Sequence, residues 1–126
     1  MKQLLLVGFG GFFGSIARYL VSKLNITWSF HNIPMGTFTV NIIGSLVIGI
    51  LMGFFVKNNV QTTTNLKLLL VAGFCGGFTT FSSFTYENVT LLQQGHLFTA
   101  LAYIAGSILL GILFVYLGYL ISGIFQ

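Results

Sequence analysis

The side chains able to engage a ligand lie where lipid would be expected. From Gly73 to Phe84 the sequence reads GFCGGFTTFSSF, placing three glycines and four hydroxyls inside a long apolar segment. Hydrocarbon penalises every backbone group left without a partner, so this composition points to a helix broken at membrane depth, where the break serves ion passage. Two further sets carry the same signal. Thr37, Asn41, Ser45 and Gly49 recur every four residues, as do Thr99, Tyr103, Ser107 and Gly111, giving two helices one small, polar stripe each. Two such stripes can enclose a polar track. An Asn amide inside a span must give its donors and acceptor to a helix, a water or an ion. Asn41 therefore either bonds across to a neighbouring helix or lines a pore, and spacing fits both. Phe81 and Phe84 share one face beside Thr80 and Ser83, although ordinary packing also produces that spacing in a chain with fourteen Phe. No nucleophile–base pair and no metal-ligand cluster is evident, so enzyme chemistry is not expected.

The elements that must hold these residues follow from composition. Of 126 residues, 56% are hydrophobic and 5% charged, against about 25% charged in soluble domains. The chain cannot cover a water-facing surface, and its length suits one membrane domain, residues 1–126, of four spans at roughly 20 residues each. The expected spans are about 3–24, 35–56, 66–94 and 97–125. The net charge of +4 rests on Lys2, Arg18, Lys23, Lys57 and Lys67, too scattered for nucleic acid. The single cysteine, Cys75, excludes an internal disulfide. Trp28, in the loop before span two, sits where an interfacial anchor would.

Span one places Gly10, Gly14 and Arg18 on one face, and Gly10 to Gly14 is a GxxxG step that lets another helix approach closely. Arg18 faces a cavity or partner, or snorkels to the nearer interface. The third segment is too long and too polar in its middle for one ordinary span. Leu66 to Cys75 makes about 15 Å of helix, half of a ~30 Å hydrocarbon core. The break is therefore expected near residues 75–80, at Gly76-Gly77, with freed carbonyls that a cation would satisfy. Glu87, the only acid, falls a turn later, near the far interface. Four spans put Lys2, Lys57 and Lys67 on one side against Arg18 and Lys23 on the other, a poor basis for a positive-inside decision. Insertion in both orientations, with opposite copies paired through their glycine faces in a two-fold dimer, follows as an expectation.

Three motifs then become recognisable. GGFFGSIARY (Gly10 to Tyr19), GTFTVNIIGS (Gly36 to Ser45) and GFCGGFTTFSSF resemble the signatures of the Fluc fluoride channels, also called the CrcB family, in order and with consistent spacing over nearly the whole chain. The resemblance implies an all-α membrane protein of four transmembrane helices, the third broken near mid-membrane. It also implies an antiparallel dual-topology homodimer with two pores, lying in the cell (inner) membrane among lipid and passively exporting fluoride. Phe81 and Phe84 match phenylalanines that line the fluoride pathway, Asn41 the pore asparagine, and Thr37 a polar residue of the same track. Tyr103 and Ser107 match the polar track of the fourth span, and Ser83 keeps a hydroxyl where relatives carry threonine. Gly76 and Thr79 match positions whose carbonyls, two per subunit, hold a central structural sodium ion (Na+). Arg18 matches the arginine of the first motif, as a vestibule or structural charge. Gly111 departs from relatives that carry a serine there, which interrupts the hydroxyl ladder of span four.

Such a lining offers donors and no carboxylate to repel an anion, and phenyl rings present a positive edge. Weak contacts of this kind also let an ion leave. A small multidrug transporter has similar length and topology, but drug–proton exchange needs a membrane-embedded carboxylate, which spans one and two lack. A packing subunit or holin would explain the glycines and leave the polar stripes without a role.

Overall fold

The computed structural model describes residues 1–24, 29–30, 32–58 and 64–124. Among the described residues, four stretches are long and apolar enough to cross a membrane: Lys2–Lys23, Met35–Lys57, Asn65–Gln93 and Leu97–Ile121. The first is helix α1 (Lys2–Leu24), and the second is α2 (Met35–Lys57), entered through a short antiparallel pair, β1 (Ser29–Phe30) and β2 (Ile33–Pro34). Trp28 lies outside the described residues. Large apolar side chains point outward along every span, Phe98 being 86% exposed. That is the surface expected of a protein whose solvent is hydrocarbon.

The third span runs in pieces. One α turn, α3 (Asn65–Lys67), leads into a π-helical segment, Leu68–Cys75, followed by α4 (Gly76–Phe78) and, after a gap, α5 (Phe81–Gln93). The gap is two extended residues, Thr79 (φ −80°, ψ 157°) and Thr80 (φ −148°, ψ 119°). The break thus falls at Thr79-Thr80 and not at Gly76-Gly77, whose residues stay helical, Gly76 at φ −62°, ψ −38°. Glycine permits a break without forcing one. A β-branched, hydroxyl-bearing pair is at home in extended backbone and supplies its own caps.

Close approach explains the glycines. A Cβ on Gly77 would meet the Gly11 carbonyl oxygen at 2.6 Å, and one on Gly73 would meet the Val7 oxygen at 2.8 Å. From the other side, a Cβ on Gly14 would run into the Phe74 carbonyl and stand 2.9 Å from the Phe78 nitrogen. The small faces of α1 and the third span are therefore used on each other within one chain. The same holds for α2 and the last helix, α6 (Leu97–Ile121), which pack against each other along their length. There a Cβ on Gly49 would strike the Val115 carbonyl, and one on Gly118 the Leu46 carbonyl. Pairing of two copies through these glycine faces, expected from the sequence, is thereby corrected: both faces are already filled.

The α5–α6 corner is a tight turn with a specific cause. Gly95 adopts φ +80°, the left-handed conformation glycine tolerates without strain. His96 N–H then donates to the Leu91 carbonyl (2.9 Å) and Gly95 N–H to that of Leu92 (3.1 Å), closing the last turn of α5. This hairpin holds α5 against α6 so that Phe84, Leu91, Ala100 and Tyr103 form the buried core of the upper bundle.

Candidate functional site

The break defines the site. Because Thr80 is extended, its N–H cannot reach back to the Gly76 carbonyl in the helical pattern. Instead it donates to Asn41 Oδ1 (2.9 Å), while Asn41 Nδ2 donates to the Thr80 carbonyl (3.0 Å). One amide side chain on α2 thus pairs with both backbone groups of Thr80, as a neighbouring strand would. Asn41 consequently does bond across to another span, and one Nδ2–H remains after that pairing. The Thr80 hydroxyl accepts from Ser83 N–H (3.3 Å), an N-cap that starts α5, and donates to Ser83 Oγ (3.1 Å). Thr79 N–H and Oγ1 both donate to the Cys75 carbonyl (3.0 and 2.9 Å), ending the first half of the span. Gly76 loses its i+4 donor, and no backbone amide of the described residues donates to the Thr79 carbonyl.

Gly76 and Thr79 lie together in an open groove of about 410 Å³, with Asn41, Ser45, Thr80 and Phe81 along it. Phe81 stands over the groove, 77% exposed. Phe84, one turn on, is buried, with its ring 6.0 Å from that of Phe81 and edge-on to Tyr103 at 5.0 Å. The two phenylalanines therefore have different surroundings: one projects outward, the other sits in the core.

The two polar stripes face one another, and an acid joins them. Thr37 Oγ1 donates to Glu87 Oε1 (2.6 Å), and Tyr103 OH donates to Glu87 Oε2 (2.8 Å). Thr37 is 8% and Tyr103 1% exposed, so the carboxylate is tied into the interior between α2, α5 and α6. This corrects one expectation, since a carboxylate stands among the residues of the expected lining, level with Thr37 in the first turn of α2. The physical reason is helix geometry, since Glu87 lies one turn beyond Phe84 and faces the same core. The lone acid of an apolar chain was the sequence signal that would have found it, because an intramembrane ionisable residue is seldom incidental. With Glu87 in place, the hydroxyl protons of Thr37 and Tyr103 point at it. Replacing Glu87 by Ala leaves both buried hydroxyls unpaired, at about 1–3 kcal/mol each. We expect that variant to melt well below the wild type in detergent, with Glu87→Gln falling between them; three equal melting temperatures would mean water replaces the acid.

Further along, Ser107 Oγ is buried with no hydrogen-bond partner among the described residues, leaving a free donor between the helices. Gly111 faces Ser45, whose Oγ would lie 3.6 Å from an added Cβ and which itself donates to the Asn41 carbonyl (2.8 Å). The stripe on α2 thus supplies the hydroxyl at the level where α6 has none. Arg18 borders a smaller, polar cavity of about 190 Å³ together with Ser15, Ser22, Thr37, Thr80 and Ser83. Thr80, whose backbone and hydroxyl organise the break, is the residue the sequence reading left without a role. Among the described residues, no group of three or more His, Cys, Asp or Glu side chains is arranged to hold a metal.

The sequence was compared with known proteins. The model of the family described as CrcB-like protein, Camphor Resistance (CrcB), matches residues 5–119. A protein named fluoride-specific ion channel FluC from Azobacteroides pseudotrichonymphae is 44% identical over 125 residues, 99% of either chain. Proteins of the same name from Gloeothece citriformis and Francisella tularensis strain SCHU S4 are 48% identical over 119 residues and 43% over 127. They cover 94% and 98% of this chain, and 94% and 97% of their own. The matched region contains α1 with its glycine face, the broken third span, and both polar stripes, so the chain belongs to the CrcB family.

Proposed function

We propose that this chain is a fluoride-selective channel that passively exports fluoride across the cell (inner) membrane, reducing fluoride toxicity, with no chemical step. The observation that carries the reading is the break in the third span, held open by Asn41 in the middle of an apolar bundle. α5 begins at that break, so the positive end of a thirteen-residue helix stands in the membrane interior, where it favours an anion. Asn41 retains one donor, Ser107 has a free hydroxyl, and Phe81 offers a ring edge over the groove. Ser83 and Arg18 border the adjoining cavity and would draw the ion toward the break. Thr37 and Tyr103 belong to the same track through Glu87, and they can donate to fluoride only when that carboxylate releases them.

The groove at Gly76 and Thr79 is open and carries backbone carbonyls that helices normally satisfy, which supports a second copy closing over it. In an antiparallel homodimer, two carbonyls from each copy would meet at the axis. Four oxygens and no acidic side chain suit a hard cation, and a structural sodium ion fits that donor set. Gly76 has open space on the groove side, its nearest atom to an added Cβ being 4.0 Å away. Each copy would contribute one broken helix, giving two pores.

Fluoride efflux from liposomes containing the purified protein tests the reading. Fluoride should leave and chloride should not; equal fluxes, or none, would refute it. Phe81→Ile and Phe84→Ile should each lower fluoride flux at least tenfold while the dimer persists. Loss of the dimer instead would make those rings packing residues.

A further inference from the structure

We propose that the groove between α1 and the π segment binds one anionic phospholipid, with the acyl chain between the helices and the phosphate at Lys2 and Lys67. The groove has a volume of about 510 Å³ and apolar walls that include Phe9 and Phe13 on one side, Leu70 and Phe74 on the other. Lys2 closes one end and is its only polar side chain. α1 and the third span run parallel, since Gly10 approaches Leu69 and Gly14 approaches Phe78. Lys67 therefore stands at the same membrane face as Lys2, within a turn of the groove wall.

Length selects the occupant. From Lys2 to Phe13 the helix rises about 16 Å at 1.5 Å per residue, close to half of a ~30 Å hydrocarbon core. The groove is as deep as one leaflet, with its cation at the headgroup level. Charge selects the headgroup. Glu87, the only acidic side chain of the sequence, is already bonded to Thr37 and Tyr103, so neither lysine has a side-chain carboxylate to pair with. Basic pockets between spans recruit anionic headgroups on this principle. A second copy is the poorer fit here. The carbonyl-bearing groove uses Val71, Ala72 and Cys75 of the π segment, whereas this one uses Leu70 and Phe74, so a partner seated on the first leaves the second to lipid.

Native mass spectrometry of the detergent-purified protein, titrated with phosphatidylglycerol or phosphatidylcholine at equal acyl length, tests this. Wild type should bind phosphatidylglycerol about tenfold more tightly, and Lys2→Gln with Lys67→Gln should abolish that preference. Leu5→Trp, which fills the groove from an exposed position, should weaken both lipids at least fivefold while the protein stays folded by circular dichroism. Equal binding of the two lipids by wild type would overturn the proposal. So would a preference that survives the lysine changes, or a loss confined to the lysine variants, which would indicate surface attraction without a seated chain. A Leu5→Trp effect on dimerisation with lipid binding unchanged would assign the groove to a second copy, and would equally overturn it.

Discussion

Replacing Asn41 by Leu should abolish fluoride flux and destabilise the protein by roughly 2–6 kcal/mol, about 1–3 for each Thr80 backbone group left unpaired. The amide is the one side chain that answers both the N–H and the C=O of Thr80, in a setting with no bulk water to take its place. Without it the break has two ways to relax. It can close into continuous helix, removing the opening, or it can shift against α2 and lose the N-cap of α5. Asn41→Asp separates structure from conduction. An aspartate keeps the bond from Thr80 N–H but sets an oxygen against the Thr80 carbonyl, and it adds negative charge beside the groove. Flux should fall at least tenfold, with a smaller loss of stability than in the Leu variant. Liposome flux and detergent melting curves for both variants check this. Unchanged flux in Asn41→Asp would remove Asn41 from the ion pathway, and unchanged melting in Asn41→Leu would show that Thr80 has other partners.

Gly10→Ala should be nearly as damaging as a core deletion, although it adds one methyl group. The new Cβ would overlap the Leu69 carbonyl oxygen and lie 2.8 Å from the Phe74 nitrogen and 2.9 Å from the Gly73 Cα. All three are backbone atoms, which cannot rotate aside, so α1 would have to move away from the third span along its length. Overpacking typically costs 1–3 kcal/mol and occasionally more; with backbone on the receiving side we expect about 3 kcal/mol or a failure to fold. Gly8→Ala is the matched control. Nothing lies within 4 Å of its added Cβ, and alanine is the better helix former by roughly 0.5–1 kcal/mol, so that variant should melt at or slightly above the wild-type temperature. Melting temperatures of the two purified variants decide the matter. If both behave alike, close approach is not what these glycines provide.

The contrast between Gly8 and Gly10 marks where sequence reasoning stops. Four spans, their order, and the anomaly of the third could be read from composition and length, because partition into lipid depends on each segment's own hydropathy and a span is an additive, local quantity. The four-residue stripes were readable for a similar reason, since helical periodicity fixes which residues share a face. Which face meets which neighbour is another kind of fact. It depends on pairings between residues far apart in sequence: Asn41 with Thr80, 39 residues on, and Thr37 with Glu87, 50 residues on. Glycine composition suggested a break at Gly76-Gly77, yet those residues stay helical, with Gly77 set against the Gly11 backbone of α1. The chain opens at Thr79-Thr80, where a side chain from another span accepts the exposed backbone. Glu87 likewise looked separate from the polar lining, and the turn at Gly95 brought its helix against α6 so that Tyr103 could bind it. Local hydropathy and periodicity thus decide that an apolar chain crosses the membrane and which residues are polar within it. Only packing decides which of those polar groups are satisfied by one another and which, like Ser107, are left with a donor to give.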